Sequence, residues 1–526
     1  LDIKYGLSEN FTLDATLIPD FSQAGFDQLE LNLGPFEQTF SEQRQFFTEG
    51  VDLFNKGNLF FSRRVGSAPT GTIELEDNEE ITEFPNTVKL LNALKVSGRT
   101  KKGLGVGVFN AITEKTFATV RRTDLITTSN GSLETVITDR NELVEPLANY
   151  NILVLDQQFN QNSSVSLINT NVTRDGGFRD ANVTGLVADI INKRNTYNVF
   201  GQVRMSNLNL QSGTKTGYST DFFLGKVHGN FRYSVKHSFA DTKFDINDLG
   251  LIFRNNYNNF KTNYSYRTFK PTGKLNNYTI GTYINYNRLA NPGSYTGTNF
   301  GGSFDAATTT LHNFGGSISF EPGKQFDYFE PRREGRYFIY EDTGSARIYI
   351  SSNYNNTFAI DLNLAGGITF EDGRDTSEYS FKIKPRFRFS DKFLIVYSLS
   401  YNKVWKDRGY ALTVGDDIIF GERDQKVMEN SLQGSYNFNP FHSLSLKFRN
   451  YWSTVAYDNN LFTLEDNGRL TRDTGYKADN LENNPDINFS TWNLDLSYSW
   501  QFAPGSFLTA LYRNQLFNFN SDSAVS

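Results

Sequence analysis

The sequence predicts an all-β protein, a large antiparallel transmembrane β-barrel of about 22 to 24 strands with tight periplasmic turns and long extracellular loops. Three observations support this class. Aromatic residues, mostly Phe and Tyr, make up 15% of the chain and Gly is plentiful, which is typical of β structure. Apolar and polar residues alternate over runs of about 10 to 14 residues, the length of a tilted strand that crosses a bilayer. No apolar run is long enough for a membrane-spanning helix, which takes about 18 residues or more.

The alternation is clearest in residues 357 to 370 (TFAIDLNLAGGITF), 393 to 405 and 491 to 502 (TWNLDLSYSWQF). The last run places its apolar side chains on one face: Trp492, Leu494, Leu496, Tyr498, Trp500 and Phe502. Aromatic residues gather at the ends of these faces and aliphatic residues in the middle, as in the aromatic girdles of membrane barrels. A soluble β-sandwich or propeller is the alternative, but no block of about 40 to 50 residues repeats, so we favour the barrel.

Short and long connections alternate along the chain, as they do in such barrels. Tight turns are predicted at residues 8–10, 98–103, 160–163, 193–196, 227–230, 271–274, 305–308, 353–356, 390–392, 439–442 and 503–506. Longer polar segments are predicted at residues 19–87, 114–146, 240–255, 321–344, 404–426 and 456–487. We therefore interpret residues 1–526 as a single outer-membrane barrel.

The ends of the chain fall on the wrong side for a complete barrel. If the tight turns face the periplasm, residues 1 to 7 run toward it and residues 507 to 519 run away from it. We therefore expect at least one further strand beyond each end, so that N-terminal and C-terminal parts are missing. Direct pairing of Leu1 with Ser526 would contradict this expectation.

Residues 40 to 66, FSEQRQFFTEGVDLFNKGNLFFSRRVG, interrupt the alternation with paired phenylalanines and charges. The paired apolar residues need burial and the charges need partners, which suits neither a lipid-facing strand nor a solvated loop. We predict that residues 20–87 fold into the barrel as a plug. An extracellular loop packed on its neighbours is the alternative. The candidate plug residues are Glu42, Arg44, Phe46, Phe47, Glu49, Arg63 and Arg64.

A basic stripe is predicted along the lumen in residues 377 to 389, SEYSFKIKPRFRF. Its members alternate with outward-facing Tyr, Phe and Ile: Lys382, Lys384, Arg386 and Arg388. One interpretation is a wall that attracts anionic solutes, and the other is a structural ladder of ion pairs with lumenal acids. We favour the ladder. Pro385 removes a backbone donor, so we also expect a bulge or a local bend there.

The composition argues against several other functions. The net charge of −6 and the pI of about 5.5 give no basic surface for nucleic acid. The chain has no Cys, and its 4 His residues are scattered without metal-ligand spacing. We expect no enzyme activity, no catalytic residue and no cofactor. Residues 173–182 and 458–468 are rich in Asp and Asn, and we favour solvated loops there over calcium sites.

The first 66 residues carry a family resemblance. They contain the KYG strand, LDAT, PDFSQ, the NL-x-x-FE piece, EQRQFFTEG and FFSRR. These motifs closely resemble the barrel portion of Bacteroidota outer-membrane proteins in the family called domain of unknown function 5916. Its members usually carry, ahead of this region, a signal peptide and a domain similar to family 9 carbohydrate-binding modules, and neither occurs in this sequence. The resemblance implies an outer-membrane barrel and assigns no activity.

Three functions follow as hypotheses. The first is transport or permeation across the outer membrane of a Gram-negative bacterium, with the wide lumen occluded by the plug. The second is a non-enzymatic scaffold or accessory subunit of an outer-membrane assembly or export complex. The third, which we favour least, is a saccharide-handling protein or a barrel-embedded hydrolase. The expected partners are outer-membrane lipid, lipopolysaccharide and other outer-membrane or lipoprotein subunits.

Overall fold

The computed structural model describes residues 2–17, 26–127, 133–176, 178–472, 475–481 and 484–521. These residues form 27 β-strands and very little helix. The described α-helix α1 is one turn, Gln45–Thr48, and short 3-10 helices span Lys56–Asn58, Ser62–Arg64 and Ala478–Asn480. The prediction of an all-β protein is confirmed.

The strands of the first half are β1 (Asp2–Ser8), β2 (Phe11–Leu17), β3 (Glu79–Glu83), β4 (Leu90–Arg99), β5 (Leu104–Thr113), β6 (Thr116–Thr127), β7 (Leu133–Glu145), β8 (Ala148–Phe159), β9 (Ser163–Arg174), β10 (Arg179–Ile191), β11 (Tyr197–Leu210), β12 (Gly213–Lys226) and β13 (Phe231–Ala240). Those of the second half are β14 (Tyr257–Arg267), β15 (Leu275–Arg288), β16 (Tyr295–Thr308), β17 (Asn313–Asp327), β18 (Phe338–Ser351), β19 (Phe358–Thr369), β20 (Ser377–Arg388), β21 (Phe393–Val414), β22 (Asp417–Asn439), β23 (His442–Tyr457), β24 (Phe462–Leu464), β25 (Leu470–Thr471), β26 (Ile487–Ala503) and β27 (Ser506–Asn520).

One antiparallel sheet contains 24 of these strands. Its long strands form an up-and-down meander in which each pairs with the next one along the chain. The same order continues through β27, and the short strands β24 and β25 extend the end of β22. Strands β3, β6 and β7 form a separate three-stranded sheet.

The predicted tight turns connect paired strands at one end of the meander, which we call the tight-turn end. Ten of them fall where predicted, and the one expected at residues 305–308 lies a few residues later, because β16 continues to Thr308. The opposite end, which we call the long-connection end, carries the long polar segments. The segment at 114–146 forms the β6–β7 hairpin, and the segment at 456–487 contains β24 and β25.

The loop predicted at residues 404–426 is wrong. There β21 and β22 continue as a hairpin that leaves only residues 415 and 416 outside the strands. Ion pairs join the two strands, with Arg408 Nε 3.0 Å from Glu422 and Arg423 Nε 2.9 Å from Asp407. The many charged residues of this stretch resembled those of the other long connections, and the short apolar run Ile418 to Phe420, which is buried in the structure, was too short to predict a long strand.

Of the bulge or local bend expected at Pro385, the bulge does not form. The pairing of β20 with β21 skips Lys384 and Pro385, but its register is the same on both sides of the gap. On the other edge Pro385 pairs with Ile360 in an uninterrupted ladder. The missing donor is therefore accommodated by a local break in the hydrogen bonds of one ladder.

The two faces of the large sheet differ. The outer face exposes rows of Leu, Val, Ile, Phe and Tyr along most strands. The inner face of β4, β5 and β8 to β11 is buried under residues 44–65 and under the connection at 241–256. The principal core therefore lies inside, between this face and the first long connection.

The sheet has two edges in the described residues. Strand β1 pairs with β2 alone and β27 with β26 alone, so the sheet is not closed there. Leu1 and Ser526, whose pairing was the sequence-based test of the missing strands, lie outside the described residues.

Candidate functional site

The candidate site is the in-folded segment, which we define as residues 26–66, together with the inner face it covers. Glycines on the strands make room for it. A Cβ atom on Gly185 of β10 would lie 2.9 Å from Leu59 Cδ1, and one on Gly107 of β5 would lie 3.3 Å from the ring of Phe54. Phe54 and Leu59 are 1% and 0% exposed. Small residues on the sheet and large residues on the segment thus interlock.

Phenylalanines of the segment converge on Phe109 of β5. The ring of Phe60 lies 5.4 Å from that of Phe109, Phe47 lies 6.1 Å away and Phe46 lies 6.4 Å away. Phe46 and Phe47 pack edge to face at 5.1 Å. The predicted residues Phe46 and Phe47 therefore lie in one cluster. Phe109, the sheet residue on which they pack, was not predicted.

Glu42 and Arg44 form the internal brace of the segment. Arg44 Nη2 lies 2.6 Å from Glu42 Oε2, and the same guanidinium donates to the carbonyl oxygens of Ser62 at 2.7 Å and Val65 at 2.8 Å. The hydroxyl of Ser62 donates to Glu42 Oε2 at 2.6 Å. The middle of the segment is therefore fastened to its end.

The environment of Glu42 keeps its carboxylate ionised. Burial disfavours the charge, but the hydrogen bonds and positive charge of Arg44 and the hydroxyl of Ser62 outweigh it. The pKa of Glu42 is therefore below its ordinary value.

Arg63 and Arg64 attach the segment to other loops. Arg63 Nη2 lies 2.8 Å from Asp27 Oδ1. Arg64 pairs with Glu37, and its Nε donates at 3.1 Å to the carbonyl oxygen of Gly250, in the connection that precedes β14. Both predicted arginines are thus engaged in the interior of the fold.

Glu49 is the exception among the predicted residues, because its carboxylate is exposed. It forms an ion pair with Lys4 of β1 at 2.7 Å. Its backbone carbonyl oxygen accepts a hydrogen bond from Lys95, which also donates to the Phe46 carbonyl oxygen at 2.7 Å and lies 4.7 Å from the Phe46 ring. Lys95 is 2% exposed. Sequence reasoning missed this lysine, although a lone Lys on the inward face of β4 was a signal.

A second buried anchor holds the 3-10 turn at Lys56. Asp156 of β8 is fully buried and lies 3.3 Å from Lys56 Nζ. It also pairs with Arg99 and accepts a hydrogen bond of 2.6 Å from Ser166. One carboxylate thus joins the segment to β4 and β9.

The start of the segment reaches the far side of the sheet. Arg449 of β23 is 2% exposed and donates to the carbonyl oxygen of Leu29 at 2.8 Å. It also pairs with Glu429 of β22 at 2.6 Å and with Glu30 at 3.3 Å. The hydroxyl of Tyr451 accepts from the Leu31 amide at 3.3 Å. Residues 29–31 are therefore fixed on β22 and β23.

These contacts require a curled sheet. Neighbouring strands lie about 4.8 Å apart, so β10 and β23 would be separated by roughly 60 Å in a flat sheet. The segment contacts both strands, through Leu59 on β10 and Leu29 on β23. These two residues are joined by a short path, which runs along the chain from Leu59 to Arg63, across the ion pair of Arg63 with Asp27, and along the chain from Asp27 to Leu29. Each residue on this path spans at most about 3.6 Å, so the path is far shorter than the width of a flat sheet. The sheet therefore wraps around the segment.

The predicted basic stripe lies on the inner face of β20, beyond the segment. Lys382, Lys384 and Arg388 are exposed there, and Arg386 lies 5.0 Å from the ring of Tyr354. The expected ladder of ion pairs is absent, because in the described chain no carboxylate lies within 4 Å of these four side chains. Asp361, the register partner of Lys384, is bound by Ser351 at 2.6 Å and by Tyr354.

The Asp-rich stretch at residues 173–182 takes part in ion pairs. Arg174 lies 2.9 Å from Asp248 and 3.2 Å from Glu145, and Asp175 pairs with Lys115 at 2.7 Å. The described residues contain no group of three or more His, Asp or Glu side chains placed to hold a metal ion. No described helix is long and apolar enough to cross a membrane.

The fold and this site define an all-β antiparallel protein whose sheet wraps around an in-folded segment. The chain belongs to the family described as Domain of unknown function (DUF5916), whose model matches residues 1–526. No curated protein matches the sequence.

Proposed function

We propose that the protein is a β-barrel of the Gram-negative outer membrane whose lumen is occluded by the in-folded segment, and that it acts in transport or permeation. The observation that carries this proposal is the position of the segment. It binds the inner faces of β4, β5 and β8 to β11 and of β22 and β23 at once. A wide barrel that stayed open would make the membrane leak, and barrels of this size are usually plugged.

The outer face supports a membrane location. One row of apolar side chains runs in direct register across β5 and β8 to β11: Val106, Leu155, Leu167, Leu186 and Val203. Four of these five side chains are exposed. Exposed apolar area on this scale is unusual for a soluble monomer, and lipid would cover it.

A polar row bounds this apolar zone toward the long-connection end. It continues in register onto β12: Asn110, Asn151, Asn171, Asn182, Asn207 and Thr216. Each of the five Asn side chains lies four residues from the apolar row on its own strand, or about 13 Å. Amides beside an apolar band suit a headgroup region, and the long loops of outer-membrane barrels are extracellular. In this orientation the long connections are extracellular and the tight turns periplasmic.

The basic stripe supports an anionic solute. Four cations without carboxylate partners give the inner face of β20 a positive potential, which raises the local concentration of anions. The stripe lies toward the tight-turn end, because β20 ends at Arg388 just before the turn into β21.

An engineered disulfide that joins the segment to β5 and can be reduced again tests the proposal. A Cβ atom on Gly107 would lie 3.4 Å from Leu53 Cβ, close to the spacing of about 3.5–4.5 Å in disulfides, and the chain has no Cys of its own. In planar bilayers we expect oxidised L53C/G107C to carry less current than the reduced form, with recovery after addition of a thiol reductant.

The control disulfide joins β15 to β16 through G281C/S303C, because Gly281 and Ser303 are register partners away from the segment. Oxidation of this pair should leave the current unchanged. Equal currents from oxidised and reduced L53C/G107C, or no current from any form, would overturn the transport function.

An accessory role in an outer-membrane complex is the second candidate function, and the β6–β7 hairpin favours it. One face of the hairpin exposes Phe117, Leu125, Leu133 and Ile137, of which Leu125 and Leu133 are each 71% exposed. Such a projecting apolar face suits a protein partner. Recovery of a stoichiometric partner from native membranes in mild detergent, lost in L125D/I137D, would support this role; a monomer in both would contradict it.

A further inference from the structure

We infer that a cavity at the long-connection end of β14 to β18 is a binding site for a neutral saccharide. The cavity has a volume of about 290 Å³ and lies where these strands meet residues 35 and 36 of the in-folded segment. It is separate from the basic stripe, which lies nearer the tight-turn end of β20. The inference concerns binding in the cavity and does not depend on transport.

Aromatic side chains form one side of the cavity. Phe36 of the segment packs at 5.4 Å on Phe329 and at 5.7 Å on Phe253, and Tyr328 packs at 5.2 Å on Tyr337. Tyr257 also lines the cavity. Each of these rings is held by neighbours before a ligand arrives. The C–H faces of a pyranose ring pack well on such fixed aromatic surfaces.

Amide side chains also line the cavity. Asn259, Asn287 and Asn299 line the cavity on neighbouring strands. Asn299 Nδ2 donates to Ser319 at 2.9 Å and to Glu321 at 3.1 Å, whereas its Oδ1 is buried and accepts no hydrogen bond from any described residue. Buried acceptors without donors suit a ligand that brings hydroxyl groups.

Most charged groups of the cavity are already engaged, which argues against an ionic ligand. Glu321 accepts hydrogen bonds from Asn299 and from Thr343 at 3.0 Å. Asp327 accepts from two backbone amides, and Arg288 donates at 2.9 Å to the carbonyl oxygen of Gly293. The groups left for a ligand are aromatic rings and neutral amides, together with Arg254, whose guanidinium lies 5.8 Å from the Phe329 ring.

Calorimetric titration of the purified full chain tests the inference. The protein is kept in a zwitterionic detergent, because detergents with sugar headgroups would compete. The neutral probes are maltohexaose, cellohexaose, laminarihexaose and xylohexaose, and the anionic comparison is hexagalacturonate. We expect at least one neutral probe to bind, and we expect Asn299→Ala and Tyr328→Ala to weaken that binding by about tenfold each.

The matched control is Asn313→Ala, because Asn313 begins β17 at the tight-turn end and is exposed there. It should bind as the unmodified chain does. The inference is overturned if no neutral probe binds, if hexagalacturonate binds more tightly than all of them, or if the cavity variants bind as well as the control. None of these results bears on the current through the bilayer, so failure here and failure of the transport function can be told apart.

Discussion

The guanidinium of Arg449 donates a hydrogen bond of 2.8 Å to the carbonyl oxygen of Leu29, which lies 420 residues earlier in the chain. Arg449 also binds Glu429, a neighbour on β22. This contact makes the first long connection a structural partner of the last third of the sheet. It is one of the contacts that a flat sheet could not make, because β10 and β23 both bind the same segment.

Replacement of Arg449 should release the start of the segment. Arg449→Ala removes the donor to Leu29 and leaves the carboxylate of Glu429 without its partner, a loss of about 3–5 kcal/mol for a buried pair. We expect faster hydrogen exchange in residues 26–38, measured by mass spectrometry. Arg347→Ala is the control, since Arg347 is exposed and donates only to Asn363 at 3.2 Å. Equal exchange in both variants would contradict the anchoring role.

Arg44 should contribute more than Arg64 to holding the segment in its folded position. Arg44 is buried and binds Glu42, Ser62 and Val65, whereas Arg64 pairs with a carboxylate that is partly solvated. We expect Arg44→Ala to speed proteolysis within residues 40–66 strongly, R63A/R64A to speed it less, and R63A alone least. An unchanged cleavage pattern in all three variants would rule out an in-folded segment held by these side chains.

The close contact at Gly185 gives a test of packing. Gly185→Ala places a methyl group 2.9 Å from Leu59 Cδ1, so the side chain of Leu59 has to shift. We expect a loss of about 1–3 kcal/mol in the stability of the docked segment, measured by urea titration of its proteolysis. Gly201→Ala is the matched control on β11, because nothing lies within 4 Å of its added Cβ. Comparable losses in the two variants would show that the segment does not pack on β10.

Acid should destabilise the fold of the segment, because it protonates Glu42. Because the pKa of Glu42 is lowered in the folded state, its charge stabilises the fold above the unfolded value of about 4.3, and this contribution is lost as the pH falls through the folded pKa. Glu42→Gln should therefore be less stable than the unmodified chain at neutral pH, and the difference should shrink in acid. Thermal unfolding between neutral pH and pH of about 2 measures this difference. Glu334→Gln, at an exposed site, should show no such trend.

The basic stripe should set the charge selectivity of any current. K382E/K384E reverses two exposed charges that have no carboxylate partner, so the permeability of chloride relative to potassium should fall. The reversal potential in a potassium chloride gradient measures this ratio. K101E/K102E makes the same change of charge in an exposed tight turn and should shift the potential far less. Equal shifts would mean that the stripe does not line the path.

Local patterns predicted much of the sheet. Alternation located the strands because successive side chains of a strand point to opposite faces, and small turn residues located the tight turns. The pattern failed at residues 404–426, where many charged residues suggested a long connection although the strands bury Ile418, Ile419 and Phe420, and at Pro385, where the ladder lost hydrogen bonds but kept its register. Neither error was avoidable from composition, because hydrogen bonding between backbones does not depend on apolar side chains.

The candidate site was predictable only in part. Paired phenylalanines and charges indicated that residues 40–66 need burial, and in the structure the apolar residues of this segment pack in the principal core. The partners of that segment were not predictable, because Phe109, Lys95 and Asp156 are ordinary residues of alternating strands. The ion-pair ladder expected on β20 was wrong for a similar reason: the acid beside Lys384 is held by Ser351 and Tyr354.

The sequence by itself determined that this chain forms a long antiparallel meander with one exceptional connection, because strand periodicity and turn chemistry are properties of neighbouring residues. Only the tertiary structure decided where that connection goes. Its contacts join residues hundreds of positions apart, as between Leu29 and Arg449, and no local pattern encodes such a pair. The curl of the sheet, the glycine surface under Phe54 and Leu59 and the cavity beside Phe36 all follow from that path.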